Sequence, residues 1–478
     1  MAVRLAATLF AALRDLLGDE RLVTEFQDLI TYECDGHTLE TAVPLAVALP
    51  ETTGEVSEVV RLCRLHGVPF VARGTGTGLS GGTLSPPGGI VIALTRMNRI
   101  LEIDAPNRRA RVQPGVVNAH LSVASQPYGL LYAPDPSSQG ACSMGGNVAE
   151  NSGGPHTLKY GVTTNHVLAL ELVLADGNVV RTGSGIGDAP GYDLTGVVVG
   201  SEGTFGIVTE ITVKLLPIPA SVSTLLAVYD AVDDACAAVS AVIAAGIVPA
   251  ALELIDRLGI EAVESHLKVG YPLGADAVLL IELEGDPLEI EPARVDIERI
   301  CRAHGARDVR LAADEEQRRL LWKGRKQALG ALGKLAPAYY TLDGVVPRAR
   351  VPEAIRRIGA IGRRLGLRIA NVCHVGDGNM HPLILFDPQA PGEIERVHQA
   401  GEEILGMCIA LGGALSGEHG IGIEKRELMP LLFSDEDLDQ MRRLRRVFDP
   451  EEQCNPGKIF PTGRPSEPAL PRQVRGWV

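Results

Sequence analysis

The 478-residue chain is predicted to be α+β, with a strand-rich domain over residues 39–219 and a strand–helix domain over 220–435. Three observations predict it. Glycine-rich loops interrupt short apolar runs three times between Arg73 and Gly206. After Pro217-Ile218-Pro219, strand-length and helix-length patterns alternate, which predicts an α/β cap. Residues 1–38 read as a helical N-terminal segment, and residues 436–478, opening with a helix from Glu436 to Phe448, as a C-terminal segment that packs back on the first domain.

At the N-terminus, Leu5 to Leu17 has amphipathic spacing broken by Arg14 and Asp15, so it reads as a surface helix and not a signal peptide. Thr52-Thr53-Gly54-Glu55 reads as a capping box, with Val56, Val59, Val60 and Cys63 on one helical face and Gly67 as the stop. A strand from Pro69 to Ala72 runs into Arg73-Gly74-Thr75-Gly76-Thr77-Gly78-Leu79-Ser80-Gly81-Gly82, whose glycines let backbone amides approach an anion such as a phosphate. Gly76, Gly78 and Gly81 match G-x-G-x-x-G, with Glu102 about 20 residues on. A dinucleotide fold needs a helix to open at the third glycine, and Gly82 to Gly89, with Pro86 and Pro87, cannot form one. A Rossmann NAD site is therefore excluded.

Strands follow at Ile90 to Leu94, Ile100 to Ile103 and Ala110 to Val112, then a second glycine-rich region from Pro134 to Gly161. A hairpin, Leu168 to Leu174 and Val179 to Thr182, turns at Asp176-Gly177, and the loop Gly200 to Gly206 leads into a strand to Leu215. Three such loops in one β-rich region predict a long ligand held by backbone. Further strands are expected at Leu225 to Tyr229, Ala250 to Leu254 and Ala277 to Leu283, with helices through Ala245, from Val295 to His304 and from Glu315 to Leu332.

The chemistry concentrates in two short stretches, Cys373 to His381 and Ser416 to Gly420. The first reads as a β-hairpin turned by Gly376-Asp377-Gly378-Asn379, which sets His374 opposite His381. Two imidazoles at that spacing suit one metal ion, with Glu418 adding an oxygen and His419 beside it as a base. A lone turn histidine is more often structural; two in opposition, with a Glu-His between glycines, favour a metal-assisted site. Arg325 is the candidate for a substrate carboxylate, since a guanidinium binds carboxylates bidentately, although a solvated helix charge is a close alternative. Arg348 and Lys326 are weaker candidates, and Asp377 and Asn379 are read as turn-shaping.

Composition sets bounds. A net charge of −14 argues against a nucleic-acid partner. Eight cysteines without a C-x-x-C pattern exclude a zinc ribbon or a four-cysteine iron–sulfur run in this chain and suit a reducing, cytoplasmic compartment. No apolar run reaches transmembrane length.

Taken in order, these pieces resemble the vanillyl-alcohol oxidase / p-cresol methylhydroxylase (PCMH) superfamily over nearly the whole chain. The likeness rests on R-G-T-G-T-G-L-S-G-G, P-D-P, G-G-N, G-S-E-G-T-F-G, W-K-G-R-K, the His374–His381 hairpin, G-E-H-G and Asn455-Pro456-Gly457-Lys458. Within it the chain looks most like the FAD-binding catalytic D subunits of bacterial glycolate oxidase, with D-lactate and D-2-hydroxyglutarate dehydrogenases as relatives.

The resemblance implies a PCMH-type FAD-binding domain of two α+β subdomains, a ferredoxin-like cap, and FAD lying across the first domain with its pyrophosphate on the first loop. The residues it assigns to FAD are Arg73, Gly74, Thr75, Gly76, Thr77, Gly78, Leu79, Ser80 and Gly81, then Pro134, Asp135, Pro136, Ser138, Gly145, Gly146, Asn147, Asn151, Gly153, Gly154, Tyr160 and Gly161, and finally Glu202, Gly203, Gly206, Ile207 and Asn455. Covalent members often carry a histidine in the first loop; Thr75 and Thr77 stand there, so non-covalent FAD is expected. The resemblance also gives His419 the role of base and makes His374, His381 and Glu418 the ligands of a divalent ion, zinc or manganese.

The implied reaction is oxidation of a small 2-hydroxy acid, glycolate or D-lactate. Leu383 and Thr341 depart from the asparagine and lysine of the hydroxyglutarate enzymes and weaken a dicarboxylate substrate. A D-2-hydroxyglutarate dehydrogenase, an alkylglycerone-phosphate-synthase-like transferase and a non-catalytic FAD-binding subunit of a complex are the alternatives. Implied partners are iron–sulfur and second flavin-domain subunits, with peripheral association at the inner face of the membrane through them, or another electron acceptor such as oxygen, a quinone or a carrier.

Overall fold

Leu9, Leu13 and Leu17 recur at four-residue spacing along the helix Ala2–Leu17 and are all buried, against the face of the helix Thr53–His66 that carries Val56, Val59, Val60 and Cys63. This is a computed structural model, and it describes residues 2–186 and 190–463. The chain forms two units. The first takes described residues from 2–153, 162–218 and 418–463; the second takes 154–161 and 219–417. The chain thus rejoins the first unit at Glu418, ahead of the return expected at position 436.

The first unit holds two sheets. In the four-stranded sheet, Val47–Ala48 and Phe70–Arg73 both pair in parallel with the fully buried strand Ile90–Ala93. Thr52 caps the intervening helix by accepting from Glu55 N (3.2 Å), and Gly67 closes it in the left-handed conformation (φ 63°). The Glu55 carboxylate reaches back to Glu51 N (2.7 Å), one residue before the expected partner. The stretch from Gly82 to Gly89 contains turns and no helix, as its prolines require. The second sheet is antiparallel, in the order Ile100–Asp104, Arg109–Val112, Ile207–Lys214, Val167–Val173 and Val179–Gly183. Ile207–Lys214 alternates buried and half-buried side chains, as a strand with one face on a core must.

The second unit is one antiparallel sheet. Its first half runs strand Ser221–Tyr229, helix Val232–Ala244, strand Ala251–Asp256, an additional helix Arg257–His266, strand Ala277–Gly285, helix Pro287–Ala303 and strand Asp308–Leu311. In space the fourth of these strands lies beside the first, then come the third and the second, which is ferredoxin-like topology. The sheet continues through Arg368–His374, Asn379–Phe386 and Ala338–Thr341. The single helix expected from Glu315 to Leu332 is two, Glu315–Lys326 and Ala328–Leu332, separated at Gln327. No helix among the described residues is long and apolar enough to cross a membrane.

The hairpin register corrects the sequence reading. His374 pairs with Asn379, and His381 pairs with Val372. The turn is Val375-Gly376-Asp377-Gly378, one residue earlier than expected at each end. Gly378 (φ 84°) takes the left-handed position, and a Cβ there would collide with the Val346 carbonyl. The partner of His374 therefore moves by two residues, an even number, and both histidines stay on one face as diagonal neighbours. Gly378→Ala should destabilise the protein by more than Gly366→Ala. Gly366 has the same sign of φ (68°) but open space, so it bears only the left-handed strain of about 1–2 kcal/mol. Urea unfolding of both variants measures the difference; equal losses would remove the collision from the account.

Candidate active site and cofactor pocket

The glycine loops of the first unit line a pocket of about 630 Å³, its open mouth included. Close backbone approach creates the space. A Cβ on Gly74 would collide with Ser143 Oγ, and one on Gly145 would lie 2.6 Å from Pro114 Cβ. Ser143 itself caps the helix Met144–Glu150 through Gly146 N (3.3 Å). Arg73, buried, lies on the wall and donates to Thr83 Oγ1 (3.0 Å). A cradle of glycine backbone with a buried guanidinium fits an extended dianionic cofactor such as FAD.

Of the residues expected to meet the cofactor, Arg73, Gly74, Gly145, Gly146, Glu202, Gly203 and Gly206 line this pocket. Others brace it. Asn455 Nδ2 donates to the carbonyls of Gly82 (2.9 Å) and Glu202 (2.8 Å), tying the first loop to the third. Asn147 accepts from Asn118 Nδ2 (3.0 Å), and Asn151, in the left-handed conformation, accepts from Thr164 N (2.8 Å). Gly154, Tyr160 and Gly161 belong to the second unit, where the Tyr160 hydroxyl donates to Glu284 (2.7 Å). Pro114, Ser143 and Glu150 also line the pocket and were missed. Only Ser143, a cap residue directly before a helix, carried a sequence signal.

In the second unit, the W-K-G-R-K stretch explains itself by packing. A Cβ on Gly324 would fall 2.8 Å from Val269 and 2.9 Å from the Tyr271 ring, so glycine lets the helix Glu315–Lys326 approach closely. Trp322 Nε1 then reaches Glu282, and Arg325, 1% exposed, reaches Glu253. Arg325 Nε and Nη2 both donate to Glu253 Oε2 (2.7 and 2.6 Å), leaving Oε1 to accept from His374 Nδ1 (2.9 Å). Arg325 Nη2 also lies 3.4 Å from the same Nδ1, but both are donors here, and the shorter carboxylate contact decides the tautomer. Burial pushes the Glu253 carboxyl up, yet Arg325 and His374 outweigh it and hold the group below the usual carboxylate range.

The ring of His374 stands 5.0 Å from that of His381, at 88°. His381 Nδ1 lies 3.3 Å from the Leu342 carbonyl and 3.9 Å from Asp343 Oδ1. Asp343 Oδ2 accepts from Ser416 Oγ (2.6 Å) and Gly417 N (2.9 Å), which fixes the chain just before Glu418. A histidine that donates through Nδ1 to a carboxylate carries its lone pair on Nε2, the arrangement metal-ligating histidines adopt. The donor set fits a divalent ion. The guanidinium edge expected to receive a substrate carboxylate is instead taken by Glu253.

In the first unit, the residues after His419 are clamped. Glu202 accepts from Ile421 N and Gly422 N (2.7 Å each), and the Ser80 carbonyl accepts from Ile423 N (3.0 Å). Both anchors sit on glycine loops of the pocket region. For the buried pair, Glu253→Ala should cost about 3–5 kcal/mol because it strands the Arg325 charge, whereas Glu253→Leu with Arg325→Met should cost less than either single loss. Denaturant unfolding of the double-mutant cycle checks this; additive losses would show the pair is not coupled.

Two family models match the chain: an FAD binding domain over residues 44–183, and the C-terminal domain of FAD linked oxidases over residues 218–459. Glycolate oxidase subunit GlcD of Escherichia coli (strain K12) is 45% identical over 451 residues, which is 94% of this chain and 90% of the relative. Its Bacillus subtilis (strain 168) namesake is 43% identical, over 90% of this chain and 92% of the relative. The probable mitochondrial D-lactate dehydrogenase of Danio rerio is 34% identical, over 87% and 84%. The solved structure of p-cresol methylhydroxylase with substrate bound aligns with a TM-score of 0.79 at 18% identity, over 95% of this chain and 96% of that one, and shows the shared fold. With its FAD-binding cradle and these relatives, the chain belongs to the family of FAD-linked oxidases and is an FAD-linked oxidoreductase.

Proposed function

We propose that this chain oxidises a small 2-hydroxy acid, glycolate or D-lactate, to the 2-oxo acid. The observation that carries the reading is the Glu253–His374 bond beside His381, a pair of oriented imidazoles in a family of FAD-linked oxidoreductases. The names of the GlcD and D-lactate dehydrogenase relatives support the substrate class. When bound, non-covalent FAD supplies a hydride acceptor, and a divalent ion, zinc or manganese, supplies a Lewis acid.

The chain's own residues do the rest. His374 and His381 each present Nε2, and Glu418, one peptide bond beyond the anchored Gly417, is the third ligand. His419 takes the proton of the substrate hydroxyl at an imidazole nitrogen. Arg325 acts through Glu253 to hold the His374 ring, a positioning role in place of the carboxylate contact first expected. Leu383, fully buried among the apolar side chains of the second unit, offers no polar group to a second substrate carboxylate, which favours a monocarboxylate. Electrons then leave to iron–sulfur and second flavin-domain partner subunits or to another acceptor, a reading supported by the name of the GlcD relatives as oxidase subunits.

Anaerobic mixing with glycolate, D-lactate, L-lactate and D-2-hydroxyglutarate, followed by flavin absorbance, tests the reading. Bleaching by glycolate or D-lactate is expected; a holoprotein with full metal that none of the four bleaches would sink it. His419→Ala should keep the flavin spectrum and slow flavin reduction at least ~10²-fold. Near-normal reduction would remove His419 from the mechanism. His374→Ala should lose the metal in elemental analysis, and retained stoichiometry would break the ligand assignment.

A further inference from the structure

The cofactor pocket contains a carboxyl group that the proposed reaction does not use. Glu150 ends the helix Met144–Glu150 and lines the pocket with Gly82 and Glu202. Its Oε2 is shut off from solvent and makes no hydrogen bond among the described residues. A Cβ on Gly420 would collide with that oxygen and lie 3.0 Å from Glu202 Oε1, so two carboxyl groups converge on one glycine.

The two are not equivalent. Glu202 is held in the left-handed conformation (φ 53°), and its oxygens accept from two backbone amides, Ile421 N and Gly422 N. Burial pushes the Glu202 carboxyl up as well, but these two amides oppose it there and have no counterpart at Glu150 Oε2, so the charge of the pair falls on Glu202. The cations facing the pair are committed elsewhere. Lys425 Nζ donates to the Gly420 carbonyl (2.9 Å) and pairs with Glu424 (3.1 Å); Lys458 Nζ donates to the Leu84 carbonyl (2.9 Å). Asp35 adds a second negative neighbour, and Arg73 is a further positive group on the pocket wall. Two carboxyl groups this close, one with an oxygen shut off from solvent, do not both ionise readily. Burial first, then the Glu202 charge, pushes Glu150 well above the usual carboxylate range.

We propose that Glu150 stands in the FAD pocket as a neutral carboxylic acid and donates a hydrogen bond to an acceptor atom of the bound cofactor. Ionising it removes the bond and sets an anion beside a cofactor that already carries a charged pyrophosphate. FAD affinity is therefore full below the Glu150 pKa and falls as pH rises through it.

The test titrates apoprotein with FAD from about pH 5 to about pH 9, reading flavin fluorescence. Wild-type Kd should rise by up to about tenfold per pH unit above the Glu150 pKa. Glu150→Gln should bind FAD with most of the wild-type slope lost, and Glu150→Ala should bind more weakly at low pH. Lys458, drawn down to about 8 by burial, titrates in the same window but remains in the Gln variant. A Gln variant that keeps the wild-type slope overturns the proposal. Should Gln not fold, Glu150→Asn takes its place, with the same loss of slope expected and a retained wild-type slope overturning the proposal. Independently, the infrared difference spectrum of wild type on FAD binding should show a protonated-carboxyl stretch that shifts, and its absence would overturn the proposal. No substrate enters these measurements, so their outcome is separate from that of the 2-hydroxy acid reading.

Discussion

The buried contact of Arg325, Glu253 and His374 is the constraint on which the candidate site depends. A carboxylate with almost no solvent exposure persists as an anion because a guanidinium donates twice to one of its oxygens and an imidazole faces the other. The other oxygen is then available to fix an imidazole tautomer. A helix, a central strand and a hairpin strand each supply one member, so the geometry follows from the packing of the sheet and not from any loop. Gly324 is what lets that helix come close enough. Such a site is stiff, as a metal centre requires of the groups behind its ligands.

Much of this was legible in the sequence. Alternation and turn chemistry located the strands of the first unit, and the prolines from Ser85 to Gly88 were enough to reject a dinucleotide helix. The histidine pair was found from spacing alone, even though the register was displaced, because an even displacement leaves side chains on the same face. The position of Gly378 decided the turn, and four successive turn-forming residues gave no way to choose between two frames.

What stayed hidden was long-range. Glu253 lies in an apolar run between Leu252 and Leu254, and nothing local marks it as the partner of a residue 72 positions on. Arg325 looked like a helix charge or a substrate hook because its burial follows from how closely its helix approaches Val269 and Tyr271 at Gly324, not from its neighbours in sequence. Glu150 was invisible for the same reason. Its environment is made by Glu202 and Gly420, each from another segment.

The interleaving of the chain between the two units also bears on synthesis. The first 218 residues contain all three glycine loops, but the segment that ties them together lies beyond Glu418. Asn455 joins the first and third loops, and the Phe70 strand bridges to Cys454. A chain emerging from the ribosome therefore carries an unbraced cofactor cradle until its last tenth has been made. Cofactor loading becomes a late event in biogenesis, coupled to completion of the polypeptide. Nonsense truncations near the C-terminus should then act as cofactor-binding defects, far from any loop that touches the flavin.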